Sequence, residues 1–211
     1  ERWPVAGGAP RGCSGGAGSE AGEARSRGPD GVDEPAGGAG LDRLLTDCTV
    51  ETGFRDVLLP YLHDLGDRWA NGEVSVAQEH FASHVVRGRL VGLARGWGTG
   101  RGWYALLACP PGELHDMALL AFGIVLNRSG WRVRYLGANT PMPDLIQLTS
   151  QTRPNLVVLS ATTSERFASV VPEPVLLAGI ATVALTGEGA TTTLADDTGA
   201  RLITVDPIPA A

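Results

Sequence analysis

Trp103-Tyr104-Ala105-Leu106-Leu107-Ala108-Cys109, Trp131-Arg132-Val133-Arg134-Tyr135-Leu136 and Leu156-Val157-Val158-Leu159-Ser160 are short apolar runs, and the segments between them, Asp116 to Asn127 and Pro143 to Gln151, carry helical spacing. Apolar runs alternating with helical segments read as βα units. Three in succession imply a parallel, doubly wound sheet of the α/β class. The pattern continues through a helix from about Glu165 to Gly179, a strand Thr182 to Thr186, a helix Thr191 to Thr198 and a strand Arg201 to Val205. The expected sheet therefore has five strands. Pro172 and Pro174 interrupt the fourth helical region and leave its boundaries the least defined of the set.

Upstream the texture is different. Leu41, Leu44 and Leu45, then Phe54, Val57, Leu58, Tyr61, Leu62, Leu65 and Trp69, recur at intervals of three and four, the signature of amphipathic helices. Thr49 to Gly53 interrupts the first run, so the first helix is expected to be short, and Pro60 marks a kink or a first turn in the second. Asn71-Gly72 breaks the pattern before it resumes from Val74 to Ala94. Residues 1–40 hold about a dozen of the 29 glycines and almost no large apolar side chains. Such a segment cannot bury enough surface to offset its ordering entropy and is expected to be a disordered tail. Glycine-rich Gly96 to Gly102 reads as a connection. The expected organisation is a tail over 1–40, a helical module over 41–100 and an α/β domain over 101–211.

Composition limits the functional classes. The net charge is −6 and all 17 basic residues are arginine, which gives no broad basic surface for a phosphate backbone. No apolar run approaches the roughly 20 residues of a membrane span, and no signal peptide pattern opens the chain. Cys13, Cys48 and Cys109 lie far apart, an odd count that suits a reducing compartment, and hence the cytoplasm, better than a disulfide scaffold. The chain opens on Glu1, so a further domain upstream is compatible with the sequence.

Open parallel sheets bind ligands at the carboxyl ends of their strands, which makes three loops informative. After the first strand, Cys109-Pro110-Pro111-Gly112-Glu113-Leu114-His115-Asp116 places a histidine two residues beyond a carboxylate. An imidazole whose second nitrogen is fixed by a carboxylate is a good metal ligand, although a solvated loop residue is the plainer reading of a lone histidine beside two acids. After the third strand, Ser160-Ala161-Thr162-Thr163-Ser164 clusters hydroxyls that suit either a ligand or a helix cap. After the fourth, Gly187-Glu188-Gly189-Ala190 offers a backbone that a bulky group can approach.

These loops together resemble the cobalamin-binding domain of methionine synthase, corrinoid proteins, cobalamin-dependent mutases and the light-responsive MerR-type transcriptional regulators. The family carries Asp-x-His-x-x-Gly after its first strand. Glu113-Leu114-His115-Asp116-Met117-Ala118 follows that pattern with Glu for Asp and Ala for Gly. The resemblance implies a flavodoxin-like fold, with His115 as the lower axial ligand of cobalt, Glu113 behind it, and Ser160, Thr162, Gly187 and Gly189 lining the channel of the cofactor's nucleotide tail. It extends upstream, where the stretch from Trp69 to Ser83 is similar to the regulators' helical cap. There a tryptophan stacks over the cofactor and an adjacent Glu-His pair faces the upper ligand; Trp69, Glu79 and His80 hold those places. A core aromatic and a solvated polar face are the ordinary alternatives for them. In photoreceptor members a histidine follows the tryptophan and takes the upper position after illumination, but Ala70 stands there in this chain.

The resemblance implies a cobalamin-binding sensory and regulatory module rather than an enzyme. Adenosylcobalamin is favoured and methylcobalamin is the alternative. Homo-oligomers are expected, with DNA bound only through a helix-turn-helix domain that residues 1–40 cannot form. A corrinoid protein shuttling methyl groups for a methyltransferase is the alternative function, and an interaction domain that has lost its cofactor is a third.

Overall fold

The computed structural model describes residues 48–99 and 101–203. The tail over 1–40, the helix expected from Leu41 and the end of the last strand lie outside the described residues. The described chain divides between Arg95 and Gly96 into two compact units.

The helical unit comprises α1 (Val50–Gly53), a π-helical turn (Phe54–Leu58), α2 (Leu59–Ala70) and α3 (Val76–Leu93). Within Thr49 to Gly53, expected from its composition as an interruption, a helix already starts at Val50. Thr49 caps α1 by accepting from Thr52 N at 3.2 Å, and Val50, Thr52 and Gly53 are buried. Local capping and burial override the low helix propensity of Thr and Gly. Pro60 lies inside a continuous helical run, directly after the π turn, and local widening of this kind is how a helix accommodates a residue without an N–H. Phe54, Leu58, Leu65, Val86 and Leu90 are buried in this unit. Gly72 at φ +75° reverses the chain. Ser75 and Gln78 then form a reciprocal capping box at the start of α3.

The second unit is the expected α/β domain. β1 (Tyr104–Ala108), β2 (Arg132–Gly137), β3 (Leu156–Ser160), β4 (Thr182–Thr186) and β5 (Arg201–Leu202) form one sheet in the order β2-β1-β3-β4-β5, all parallel. Their connections are α4 (Met117–Arg128), α5 (Met142–Thr152), α6 (Ser164–Ala168) with α7 (Pro172–Ala178), and α8 (Thr192–Thr198). The fourth helical region is thus two short helices, because Pro172 cannot continue α6 but can open α7. β1 and β3 are neighbours although β2 lies between them in sequence, so the chain reverses its direction of travel there. Loops leaving the carboxyl ends of β1 and β3 diverge at such a switch point and leave a crevice.

Residues 105–108 of β1 and all of β3 are buried, which is why both read as unbroken apolar runs. Leu106, Val157, Leu159, Val183 and Leu185 belong to a core completed by Met142 and Leu145 of α5, Phe167 of α6 and Leu177 of α7. Among the described residues no helix is long and apolar enough to cross a membrane. The expectation of unpaired cysteines is corrected at Cys48, which is disulfide-bonded. Separation along the chain does not fix separation in space. Cys109 is a buried thiol.

Candidate functional site

The loop after β1 leaves the sheet at Cys109 and reaches α4 at Met117. Its centre is Glu113, whose side chain is 1% exposed beside an imidazole, His115, that is 76% exposed. Burying a carboxylate is costly unless it is well hydrogen-bonded. Here it is: Oε1 accepts from His115 N at 2.8 Å and lies 2.7 Å from His115 Nδ1. Oε2 accepts from Thr162 N at 2.8 Å and from the Thr162 hydroxyl at 2.7 Å. Burial pushes the Glu113 pKa up, but hydrogen bonds from the Thr162 and His115 backbone N–H groups and side chains outweigh it and hold the pKa at about 2. Glu113 is therefore a permanent anion at neutral pH.

This arrangement has a chemical consequence. With Nδ1 engaged by a carboxylate, Nε2 is the nitrogen of His115 left to bind a ligand. Among the described residues there is no cluster of three or more His, Cys, Asp or Glu able to cage a metal ion. The loop instead offers a single, oriented imidazole. That donor suits a metal whose other positions come from its own macrocycle, so these residues fit a corrin cobalt.

The other sequence-chosen residues of this unit sit on the same rim, with altered emphasis. Ser160 is the buried last residue of β3 rather than a loop residue, while Thr162, two residues on, reaches Glu113. Gly187, at φ +88°, and Gly189 follow β4. A Cβ on Gly187 would stand 2.3 Å from the Ala161 carbonyl oxygen, and one on Gly189 equally close to the Thr163 backbone. What the missing side chains make room for here is the loop after β3, whose Ala161 carbonyl accepts from Gly189 N at 3.1 Å. The β1, β3 and β4 loops are thus joined in series.

Sequence reading missed the contribution of β2. Asn139, at φ +51°, donates its N–H to the Glu113 carbonyl at 2.9 Å and accepts from Gly112 N at 2.8 Å through Oδ1. The available signal was Asn in a Gly-Ala-Asn-Thr-Pro turn, since asparagine tolerates the left-handed region. Leu114, 67% exposed between the two functional side chains, also passed unremarked.

In the helical unit, Trp69 lies in the last turn of α2 and is 48% exposed. Exposure argues against the ordinary reading of a core aromatic. Ala70 ends the same helix. Glu79 stands in the first turn of α3, accepts from the Ser83 hydroxyl at 2.5 Å, and has Oε2 3.7 Å from Nε2 of the exposed His80.

Comparison with known proteins bears on the family of the chain. Residues 33–91 and 104–199 match two family models, each described as a B12 binding domain. The HTH-type transcriptional repressor CarH of Myxococcus xanthus is 40% identical over 132 residues, covering 63% of this chain and 44% of that protein. The HTH-type transcriptional repressor CarA of the same organism is 40% identical over 152 residues, covering 66% and 51%. The chain thus spans about half the length of these relatives. The monomethylamine corrinoid protein of Methanosarcina barkeri superposes with a TM-score of 0.64 at 13% identity over 82% of this chain and 86% of that one, a likeness of fold. With its helical part and its α/β domain both matched, the chain belongs to the B12-binding domain family.

Proposed function

We propose that this chain is the sensory module of a cobalamin-dependent transcriptional regulator, with residues 41–100 as the cap, residues 101–211 as the cofactor domain, and His115 as the lower ligand of cobalt. The observation that carries the site is the pairing of exposed His115 with buried Glu113, itself held by Thr162. Bound cobalamin supplies a cobalt–carbon bond that an external signal can break. The chain's own residues do the rest. Glu113 orients the imidazole, the β3 and β4 loops with Ser160, Thr162, Gly187 and Gly189 border the nucleotide tail, and Trp69, Glu79 and His80 cover the upper ligand.

Adenosylcobalamin is the form we assign, since an exposed indole and a polar Glu-His pair within one helical unit suit a nucleoside with an apolar face and hydrogen-bonding edges. The regulatory role rests on the CarH and CarA likeness. DNA contact belongs to a helix-turn-helix domain outside this chain, and oligomers form through the cap. Incubation of the chain with adenosylcobalamin in the dark, followed by gel filtration, tests the reading. Corrin absorbance should elute with the protein; elution of all corrin at the small-molecule volume contradicts it.

A further inference from the structure

We infer that Tyr135, within β2, and Asn139, in the turn that follows it, are positioning residues that fix where the His115 imidazole stands. The inference rests on His115 as the proposed lower ligand. Tyr135 donates its hydroxyl hydrogen to Asp116 Oδ2 at 2.7 Å, with the Asp116 carbonyl oxygen 3.0 Å away. Asp116 is buried, directly follows His115, and begins α4 by accepting from Leu120 N at 2.9 Å. The tyrosine ring is itself held edge-on by Trp97, with centroids 5.7 Å apart. Gly137 leaves space for the pair. A Cβ on it would come within 3.1 Å of the Tyr135 ring and 3.4 Å of Asp116 Oδ2.

On the other side of the histidine, Asn139 binds both Gly112 N and the Glu113 carbonyl. The same connection is tied to the root of the loop, since Cys109 N donates to the Gly137 carbonyl and Thr140 N to the Cys109 carbonyl, each at 2.9 Å. The end of β2 therefore grips residues 112–113 and residue 116, and leaves Leu114-His115 as a two-residue span between fixed ends. Glu113 determines which nitrogen of His115 is presented, whereas Tyr135 and Asn139 determine where it is presented. Outer partners that orient a metal-binding histidine typically carry about 10- to 100-fold in affinity or activity.

The test uses the full chain loaded with cobalamin in the dark. The visible corrin spectrum, which changes with the lower axial ligand, gives the ratio of imidazole-ligated to imidazole-free cofactor. Tyr135→Phe removes one hydroxyl and keeps the ring against Trp97. Asn139→Gly removes the acceptor and tolerates the positive φ. Each should lower that ratio about tenfold, and Asn139→Asp, which keeps an acceptor for Gly112 N–H, should restore most of it. Wild-type spectra in both variants, with only a lower unfolding midpoint in the cofactor-free chain, would make these residues structural supports and overturn the inference. His115→Ala serves as the reference. If its spectrum matches wild type, the lower-ligand reading itself fails and this inference falls with it; if it differs while the β2 variants do not, only the inference is wrong.

Discussion

At the scale of single residues, the site depends on one buried carboxylate that serves two loops. Glu113 has its folded pKa lowered from 4.5 to about 2, so its hydrogen bonds contribute stability that is fully present above pH 4.5 and is lost as pH falls toward 2. Urea unfolding of the cofactor-free chain, compared with Glu113→Gln, should show a stability difference that is largest above pH 4.5 and shrinks through that window. A difference independent of pH would mean that the charge is not what the loops hold. Thr162→Val removes one of the two Thr162 donors and keeps the backbone N–H. Hydrogen bonds to charged groups contribute about 1.5–3 kcal/mol, and the exposure of Thr162 places this one near the lower end. A urea midpoint shift equivalent to about 1.5 kcal/mol is expected. Legibility at this scale was uneven. The pairing of Glu113 with His115 is visible in a two-residue spacing. Its link to Thr162 spans 49 positions and becomes apparent only when β1 and β3 are seen to be adjacent.

Elements explain how those positions come together. Strands buried on both faces write themselves as apolar runs, so β1, β3 and β4 could be read from the sequence to within about a residue. The switch point between β1 and β3 is seen only in the strand order β2-β1-β3-β4-β5, which right-handed crossovers permit but do not dictate. What sequence could not supply was the behaviour of short, packing-determined pieces. The helical start at Thr49 depends on a side-chain cap, the π turn has no sequence signature of its own, and α6 and α7 divide at a proline whose effect depends on register. Tertiary contacts decide such segments against propensity. Gly189→Ala probes the coupling of elements directly. Its Cβ would stand 2.3 Å from the Thr163 backbone, so the β3 loop has to move, at a cost of about 1–3 kcal/mol by the measure of overpacked cores. Because that loop carries Thr162, cobalamin affinity should fall along with stability in equilibrium titration. Loss of stability with unchanged affinity would show that the loops are not mechanically joined.

The molecule comprises two compact units, and the proposed sensory reading assigns each a different duty. Trp69, Glu79 and His80 lie in the helical unit, while the imidazole and its supports lie in the α/β unit. Removal of one should affect cofactor chemistry at one axial position only. Trp69→Ala should leave lower ligation intact while speeding loss of the adenosyl group in the dark, followed as conversion of the alkyl-cobalamin spectrum. An unchanged rate would take Trp69 out of the cover. Ala70 bears on signalling. A methyl group cannot coordinate cobalt, so green illumination should yield no stable bis-histidine spectrum and only a weak or altered change of oligomeric state by gel filtration.

Underlying all these expectations is coordination of cobalt by a nitrogen of this chain. Electron paramagnetic resonance of bound cob(II)alamin reads that nitrogen directly, because the lower ligand splits each cobalt line. In protein grown with nitrogen-15 histidine the account predicts doublets in place of the triplets given by ordinary nitrogen, and loss of the doublets in His115→Ala. Triplets that persist in the labelled protein would place the cofactor's own base beneath the cobalt and contradict the account.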